Sequence, residues 1–365
     1  MKRRRFVRAA GLGVAAPAAV AAPAIAQPAP ALRWRAISSF PKSLDTLFGA
    51  LELFCRRVGE LTDGRLTILP FAAGEIVPGL QVLDAVQGGT VEMGQTAAYY
   101  YVGKDVTFAF DTAIPFGLNT RQHMAWWLHG GGREAMNEFY KAHGVVGLLF
   151  GGTGAQMGGW FRKEIRSVED LQGLKMRVGG LAGQVLARLG VMPQQIAAAE
   201  IYGALEKGTI DAAEWVGPYD DERLGLNRVA PWYYAPGWWE GGAAVTLYIG
   251  AKAWTALPPA YRKAVEVACM DVTLWTIARY DHGNPAALRK LVEGGTRLAA
   301  FPIPVLEASI AAASQLYDEI AARNPAFARI YASWKSYRRE QAQWFRIAEG
   351  GFDSFMATQS AQNKL

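Results

Sequence analysis

Val82-Leu83-Asp84-Ala85-Val86-Gln87-Gly88-Gly89-Thr90-Val91-Glu92 returns 119 residues later as Ile201-Tyr202-Gly203-Ala204-Leu205-Glu206-Lys207-Gly208-Thr209-Ile210-Asp211. Ala85 aligns with Ala204, Gly89-Thr90 with Gly208-Thr209, and Glu92 with Asp211. Each copy reads as an apolar helical stretch, a glycine that ends it, and a strand that follows at once. The period is far longer than that of solenoid repeats. It is the spacing expected of two lobes built on one α/β plan.

Upstream of the first copy the pattern alternates. Leu32 to Ile37 reads as a strand, Leu44 to Glu60 as a helix, Asp63-Gly64 as a turn and Arg65 to Leu69 as a strand. Leu80 to Gln87 then reads as a helix and Val91-Glu92-Met93 as a short strand. This alternation implies a parallel sheet with helical crossovers. Ligands on such sheets sit beyond the carboxyl ends of the strands. That position holds Glu214-Trp215 after the second copy, and Gln95-Thr96 ahead of Tyr99-Tyr100-Tyr101 after the first. Another strand, Leu174 to Val178, delivers Arg177 to the same region. A guanidinium, a carboxylate and an indole are therefore predicted at one cleft.

The glycine-rich run Gly151 to Gly159 lacks the Gly-Lys-Ser/Thr ending of a phosphate loop, and Met157 stands where a third glycine belongs. It reads instead as backbone crossing between the lobes, with Gln156 placed to offer its amide. Beyond Pro325, apolar residues fall at Phe327, Ile330, Tyr331, Trp334, Tyr337, Trp344, Phe345 and Ala348, close to a helical period. The opposite face carries Arg329, Lys335, Arg338, Arg339 and Arg346. Such a tail needs a surface to cover, either its own body or a second subunit; the dimer is the favoured expectation.

Residues 1–26 carry five basic residues, a weakly apolar middle and a small-x-small end at Ala24-Ile25-Ala26. They read as a cleavable export signal; the Arg pair before Phe6 fits the twin-arginine route, the alternative being an ordinary secretory signal. Removing those five charges takes the formal net charge from +6 to +1, so a nucleic-acid partner finds no support in charge. The 339 residues left (365 less 26) suffice for two domains. Cys55 and Cys269 both sit in helical apolar patterns and read as inert core thiols, although an oxidising compartment permits a bridge. His123, His129, His143 and His282 are scattered and read as capping or surface residues. No Gly-x-Ser-x-Gly, His-Glu-x-x-His or Cys-x-x-Cys motif is present, so no enzyme is expected.

Gly64 to Ile68, Val82 to Met93, Ser167-Val168-Glu169-Asp170-Leu171-Gln172-Gly173-Leu174-Lys175-Met176-Arg177-Val178 and Ile201 to Trp215 together resemble the extracytoplasmic solute-binding proteins of TRAP transporters. The resemblance runs from about Leu32 to Trp334, and the set Gln156, Arg177, Glu214-Trp215 is similar to the 2-oxoacid-binding branch. It implies an α/β, two-lobe periplasmic binding protein fold (type II-like) that closes on its ligand, with a helix spanning both lobes and a long C-terminal helical extension. Residues 27–151 with about 243–285 would form lobe I, 152–242 with about 286–324 lobe II, and 325–365 the extension.

The same resemblance implies a periplasmic, non-catalytic receptor that binds a small 2-oxo monocarboxylate such as pyruvate and delivers it to TRAP membrane subunits. Arg177 would hold the ligand carboxylate, its planar fork suiting two parallel hydrogen bonds. As a strand-end residue it should be removable at little expense in stability. Glu214 facing an anionic ligand calls for compensation, and a bridging cation supplies it, with Gln156, Glu214 and the Trp215 backbone as protein ligands. Charge counting favours Na⁺, and Ca²⁺ if Glu240 also enters. Trp215 would wall the pocket and Glu240 would accept from the ligand or support the cation; Trp238 and Trp239 stay open between packing and recognition. The alternatives are a receptor for lactate or another small hydroxyacid, a secreted enzyme, and a ligand sensor using the same cleft.

Overall fold

The computed structural model describes residues 30–364, so the expected export signal lies outside the described residues. The chain opens with β1 (Leu32–Ser38), α1 (Leu47–Leu61), β2 (Leu66–Phe71), α2 (Val82–Gln87) and β3 (Met93–Thr96). α1 forms because Leu47, Phe48, Leu51, Phe54, Cys55 and Val58 recur at helical spacing and bury one face. β1 pairs in parallel with β2 on one side and β3 on the other. The third strand begins at Met93, later than the expected Val91. On the β1 side the Glu92 carboxylate accepts the Arg35 backbone N–H at 2.7 Å in place of a main-chain carbonyl, while Glu92 O accepts the Gly250 N–H at 3.0 Å.

α3 (Thr120–His129) and β4 (Val145–Gly152) follow. The chain then crosses through the glycine-rich run into a second sheet: β5 (Trp160–Phe161), β6 (Lys175–Arg177), α4 (Gly180–Arg188), β7 (Met192–Gln194), α5 (Ala198–Glu206), β8 (Ala212–Ala213), α6 (Pro218–Leu224) and β9 (Trp232–Ala235). β10 (Ala244–Gly250) returns to the first sheet, and β11 (Arg297–Ala300) adds to the second. The strand orders are β2-β1-β3-β10-β4 and β7-β6-β8-β5-β9-β11. Three strands joined by helical crossovers are parallel in each, and the strand beyond them, β10 or β5, runs antiparallel.

The sequence echo is geometrically real at its helix ends. Gly89 and Gly208 both take φ +70°. Thr90 N–H closes onto Ala85 O at 2.9 Å and Thr209 N–H onto Ala204 O at 3.0 Å, the six-residue closure that a left-handed glycine makes accessible. The acidic residue ending each copy also does one job twice. Asp211 accepts the Lys175 backbone N–H at 3.1 Å on the neighbouring strand, as Glu92 does for Arg35.

α7 (Pro259–Glu293) is 35 residues long, about 52 Å at the α-helical rise. It packs on α1 and β4 of the first sheet's layer and on α6 of the second's. α8 (Ile303–Arg323), α9 (Pro325–Ile347) and α10 (Glu349–Ala361) complete the chain. The tail divides into two unlike halves. Phe327, Ile330, Tyr331 and Trp334 are buried against the protein's own body, with Phe110 at 4.8 Å from Phe327 and 5.8 Å from Trp334. Trp344, Ile347, Phe352 and Phe355 are 58, 71, 64 and 62 % exposed. Arg338 belongs to the inner side instead of the expected outer face: it donates to Phe116 O at 2.8 Å and lies over Trp334.

Cys55 and Cys269 are buried and unpaired, and burial pushes both thiols up, which keeps them inert. His123 departs from the surface reading. It is buried beside Trp126, and desolvation drops it to about 4, so it stays neutral.

Candidate functional site

The carboxyl ends of β1, β3, β6 and β8 meet where the two sheets face each other. The loop after β1 brings Phe40; the segment after β3 brings Tyr99 and Tyr100; β6 ends on Arg177; and β8 runs directly into Glu214 and Trp215. Phe40, Tyr99, Tyr100, Thr153, Gln156 and Trp215 line a common cavity. Its volume is about 20 Å³. That is room for one or two waters, so the site is shut, and a larger solute enters only if the walls part. A wider groove of about 810 Å³ runs along Lys335, Arg338, Arg339 and Arg346 on α9, but it is open and shares none of these residues.

Arg177 is completely buried. Its Nε donates to Ile196 O at 3.1 Å, and Nη1 donates both to Glu214 O at 2.7 Å and to the Glu214 carboxylate atom Oε1. Its guanidinium lies over the Trp215 ring, 4.9 Å from the centroid. Glu214 Oε1 also accepts the Gly179 N–H at 3.0 Å. Gly179 has to be glycine here, because a Cβ would come within 2.3 Å of the Tyr99 ring closing over it. Thus the arginine and the glutamate, expected to face a ligand separately, are partners of each other.

What remains on these side chains is informative. Among the described residues, Arg177 Nη2, Glu214 Oε2, Gln156 Oε1 and Glu240 Oε2 are buried with no hydrogen-bond partner. Such atoms are rare because each forfeits solvation without replacement. Gln156 is aimed by Thr153, whose hydroxyl accepts from Nε2 at 3.1 Å, and its backbone N–H donates to Glu240 O at 3.1 Å. The set comprises one guanidinium nitrogen and three side-chain oxygens, one from an amide and two from carboxyl groups.

The charges are unbalanced in the same sense. Burial raises Glu214, only partly opposed by Arg177 and the Gly179 N–H. Burial raises Glu240 well above the carboxylate range, the Glu214 charge adds to this, and Arg177 and a Tyr99 hydrogen bond oppose it. Two carboxyls share one guanidinium in a dry site, which favours the neutral form of Glu240. No group of three or more His, Cys, Asp or Glu suited to a metal exists among the described residues. A cation here would draw on amide, carboxylate, main-chain and solute oxygens, a donor set that suits a hard ion.

The aromatic run around β9 packs on neighbouring rings, and the buried Trp239 Nε1 has no hydrogen-bond partner among the described residues. Tyr233 stacks on Trp160 at 4.0 Å and donates to Asp221 at 2.7 Å, Trp238 stacks on Phe116 at 4.9 Å, and Trp239 meets Phe301. Sequence reasoning left Phe40 and Thr153 out of the site. Phe40 was findable, since it follows β1 as Trp215 follows β8; Thr153 acts only through Gln156 and gives no signal of its own.

The family model described as bacterial extracellular solute-binding protein, family 7, matches residues 37–324. A monocarboxylate 2-oxoacid-binding periplasmic protein of a Nostoc species is 46 % identical over 363 residues, spanning 98 % of this chain and 100 % of that one. A TRAP transporter solute-binding protein of Bordetella bronchiseptica superposes with a TM-score of 0.90 at 50 % identity, covering 92 % of this chain and 99 % of its own; it is a mixed-occupancy dimer with copurified calcium and picolinate. A TRAP periplasmic solute-binding protein of Pseudoalteromonas atlantica, with bound sodium and pyruvate, superposes with a TM-score of 0.86 at 38 % identity, covering 88 % of this chain and 98 % of that one.

Proposed function

Because the chain belongs to family 7 of the bacterial extracellular solute-binding proteins, we propose that it is the periplasmic receptor of a TRAP transporter and binds a small 2-oxo monocarboxylate such as pyruvate. The observation that carries this reading is the set of four unpartnered buried atoms, one guanidinium nitrogen and three side-chain oxygens, beside a small aromatic-walled cavity. Arg177 Nη2 donates to the solute carboxylate. Its other nitrogens stay on Ile196 and Glu214, which lock the guanidinium in place before the solute arrives. Gln156 Oε1, Glu214 Oε2 and the Trp215 main chain would hold Na⁺ or Ca²⁺, whose positive charge offsets the second anion brought into the site. Glu240, kept protonated, donates to the 2-oxo group. Trp215, Phe40, Tyr99 and Tyr100 limit solute length.

A receptor for lactate is the second reading, favoured only if Glu240 ionises and accepts from a hydroxyl. The test is titration calorimetry with pyruvate, lactate and longer 2-oxoacids, each with sodium or calcium as sole metal. Pyruvate should bind tightest with either ion; a clear preference for lactate would move the assignment to the hydroxyacid class.

The exposed outer half of the tail supports a homodimer. Trp344, Ile347, Phe352 and Phe355 are four large apolar side chains exposed within twelve residues, more than a tail in contact with water alone favours. Ending the chain after Ala348 removes α10 while sparing the buried Phe327 to Trp334 contacts. The sedimentation mass should fall from dimer to monomer; a full-length protein that already sediments as a monomer refutes the dimer.

A further inference from the structure

The geometry points to Asp45, Tyr219, Arg223 and Arg279 as a latch at the mouth of the site, holding it shut and setting how slowly the bound acid leaves. This rests on the receptor reading above. Asp45 lies in the loop between β1 and α1, five residues beyond the cavity residue Phe40. Tyr219 and Arg223 lie on α6, which follows the cavity residue Trp215 in the other layer. Arg279 lies on α7, the helix that packs on both. The latch therefore joins the β1–α1 loop and α6, each a few residues beyond a cavity residue, to the long helix α7.

Its contacts converge on one carboxylate. Asp45 accepts from Arg223 Nε and Nη2, both at 3.1 Å, from Arg279 Nη2 at 2.6 Å and from the Tyr219 hydroxyl at 3.1 Å. Both arginines also donate to the Tyr219 hydroxyl, at 2.8 and 3.0 Å, and Arg223 lies over the Tyr219 ring at 4.2 Å. Arg279 Nε additionally donates to Thr46 at 3.2 Å, which ties it to the Asp45 side. Asp45 and Arg279 thus form a seat, and Arg223 with Tyr219 dock into it from the other lobe. Two cations share one anion, so removing Asp45 turns the seat from attractive to repulsive. None of the four residues lines the cavity.

A contact made only when the lobes are closed adds to affinity without touching the solute, because it raises the fraction of closed receptor. Opening is the exit route, so its loss is read in the dissociation rate. The side chains of Arg223, Arg279 and Asp45 are 34, 36 and 40 % exposed, which leaves the latch open to screening by salt.

The test measures pyruvate association and dissociation by stopped-flow tryptophan fluorescence on the full-length protein, with sodium and calcium fixed and ionic strength varied with choline chloride. R223Q and D45N should each speed dissociation by about tenfold, the scale of a coupled ion-pair network, with association unchanged and the R223Q ligand-free melting temperature unaltered. D45E should restore most of the loss. Choline chloride should speed release from the wild type and leave R223Q flat. Wild-type dissociation rates in both variants overturn the latch, as does a loss carried by slower association and a lower ligand-free melting temperature. A wild type that does not bind pyruvate removes the receptor reading and the latch together; a wild type that binds, with variants that match it, removes the latch alone.

Discussion

Replacing Arg177 with alanine should abolish pyruvate binding and destabilise the ligand-free protein by about 3–5 kcal/mol, the penalty typical of removing one member of a buried ion pair. The strand-end position alone suggested a residue that stability would barely notice. Its burial, and its three hydrogen bonds to Ile196 and Glu214, change that expectation. Without the guanidinium, Glu214 loses the main interaction that lowers it, and burial alone drives it up. A carboxyl whose folded-state value exceeds its unfolded value supplies stability below the unfolded value and loses it as pH rises through the folded one. The destabilisation of R177A should therefore be largest at alkaline pH and shrink on acidification. Denaturant unfolding across pH checks this. The double variant R177A/E214Q should recover stability and still fail to bind. A stable R177A with full affinity would remove Arg177 from the site.

Withdrawing sodium and calcium together should weaken pyruvate binding by about 100-fold, or about 2.7 kcal/mol. The cause is the charge balance of a shut site. Arg177 is already neutralised by Glu214, so an incoming carboxylate brings an uncompensated negative charge next to the unpartnered oxygens of Glu214 and Gln156. Without a cation the complex must take up a proton or remain strained. E214Q should lose most of the cation dependence because it removes the anionic acceptor, whereas Arg177 and its carboxylate contact would remain. Calorimetry in chelated choline buffer, with sodium or calcium added back singly, reads both effects. Affinity indifferent to every cation would end the bridging-ion assignment.

The features that were legible in the chain are those encoded within a single turn or strand. The paired Ala-x-x-x-Gly-Thr segments carry their own caps, so they announced two α/β halves, and the residues following the parallel strands pointed to Arg177, Glu214 and Trp215. The β3 boundary slipped because Glu92 is claimed by the Arg35 backbone of a neighbouring strand, which no local pattern records. The tail's period predicted a helix correctly, but could not show that its inner half lies on the body while its outer half stays bare.

By itself the sequence determined the plan: helix, glycine cap and strand repeated in two halves, with a guanidinium, a carboxylate and an indole at strand ends. Only the tertiary structure decided who pairs with whom. Arg177 meets Glu214 across 37 residues and Asp45 meets Arg223 across 178, and such pairings depend on how two separately specified layers come to rest against each other. Local propensity fixes backbone shape over a few residues, whereas burial and charge partners are set by the packing of distant segments.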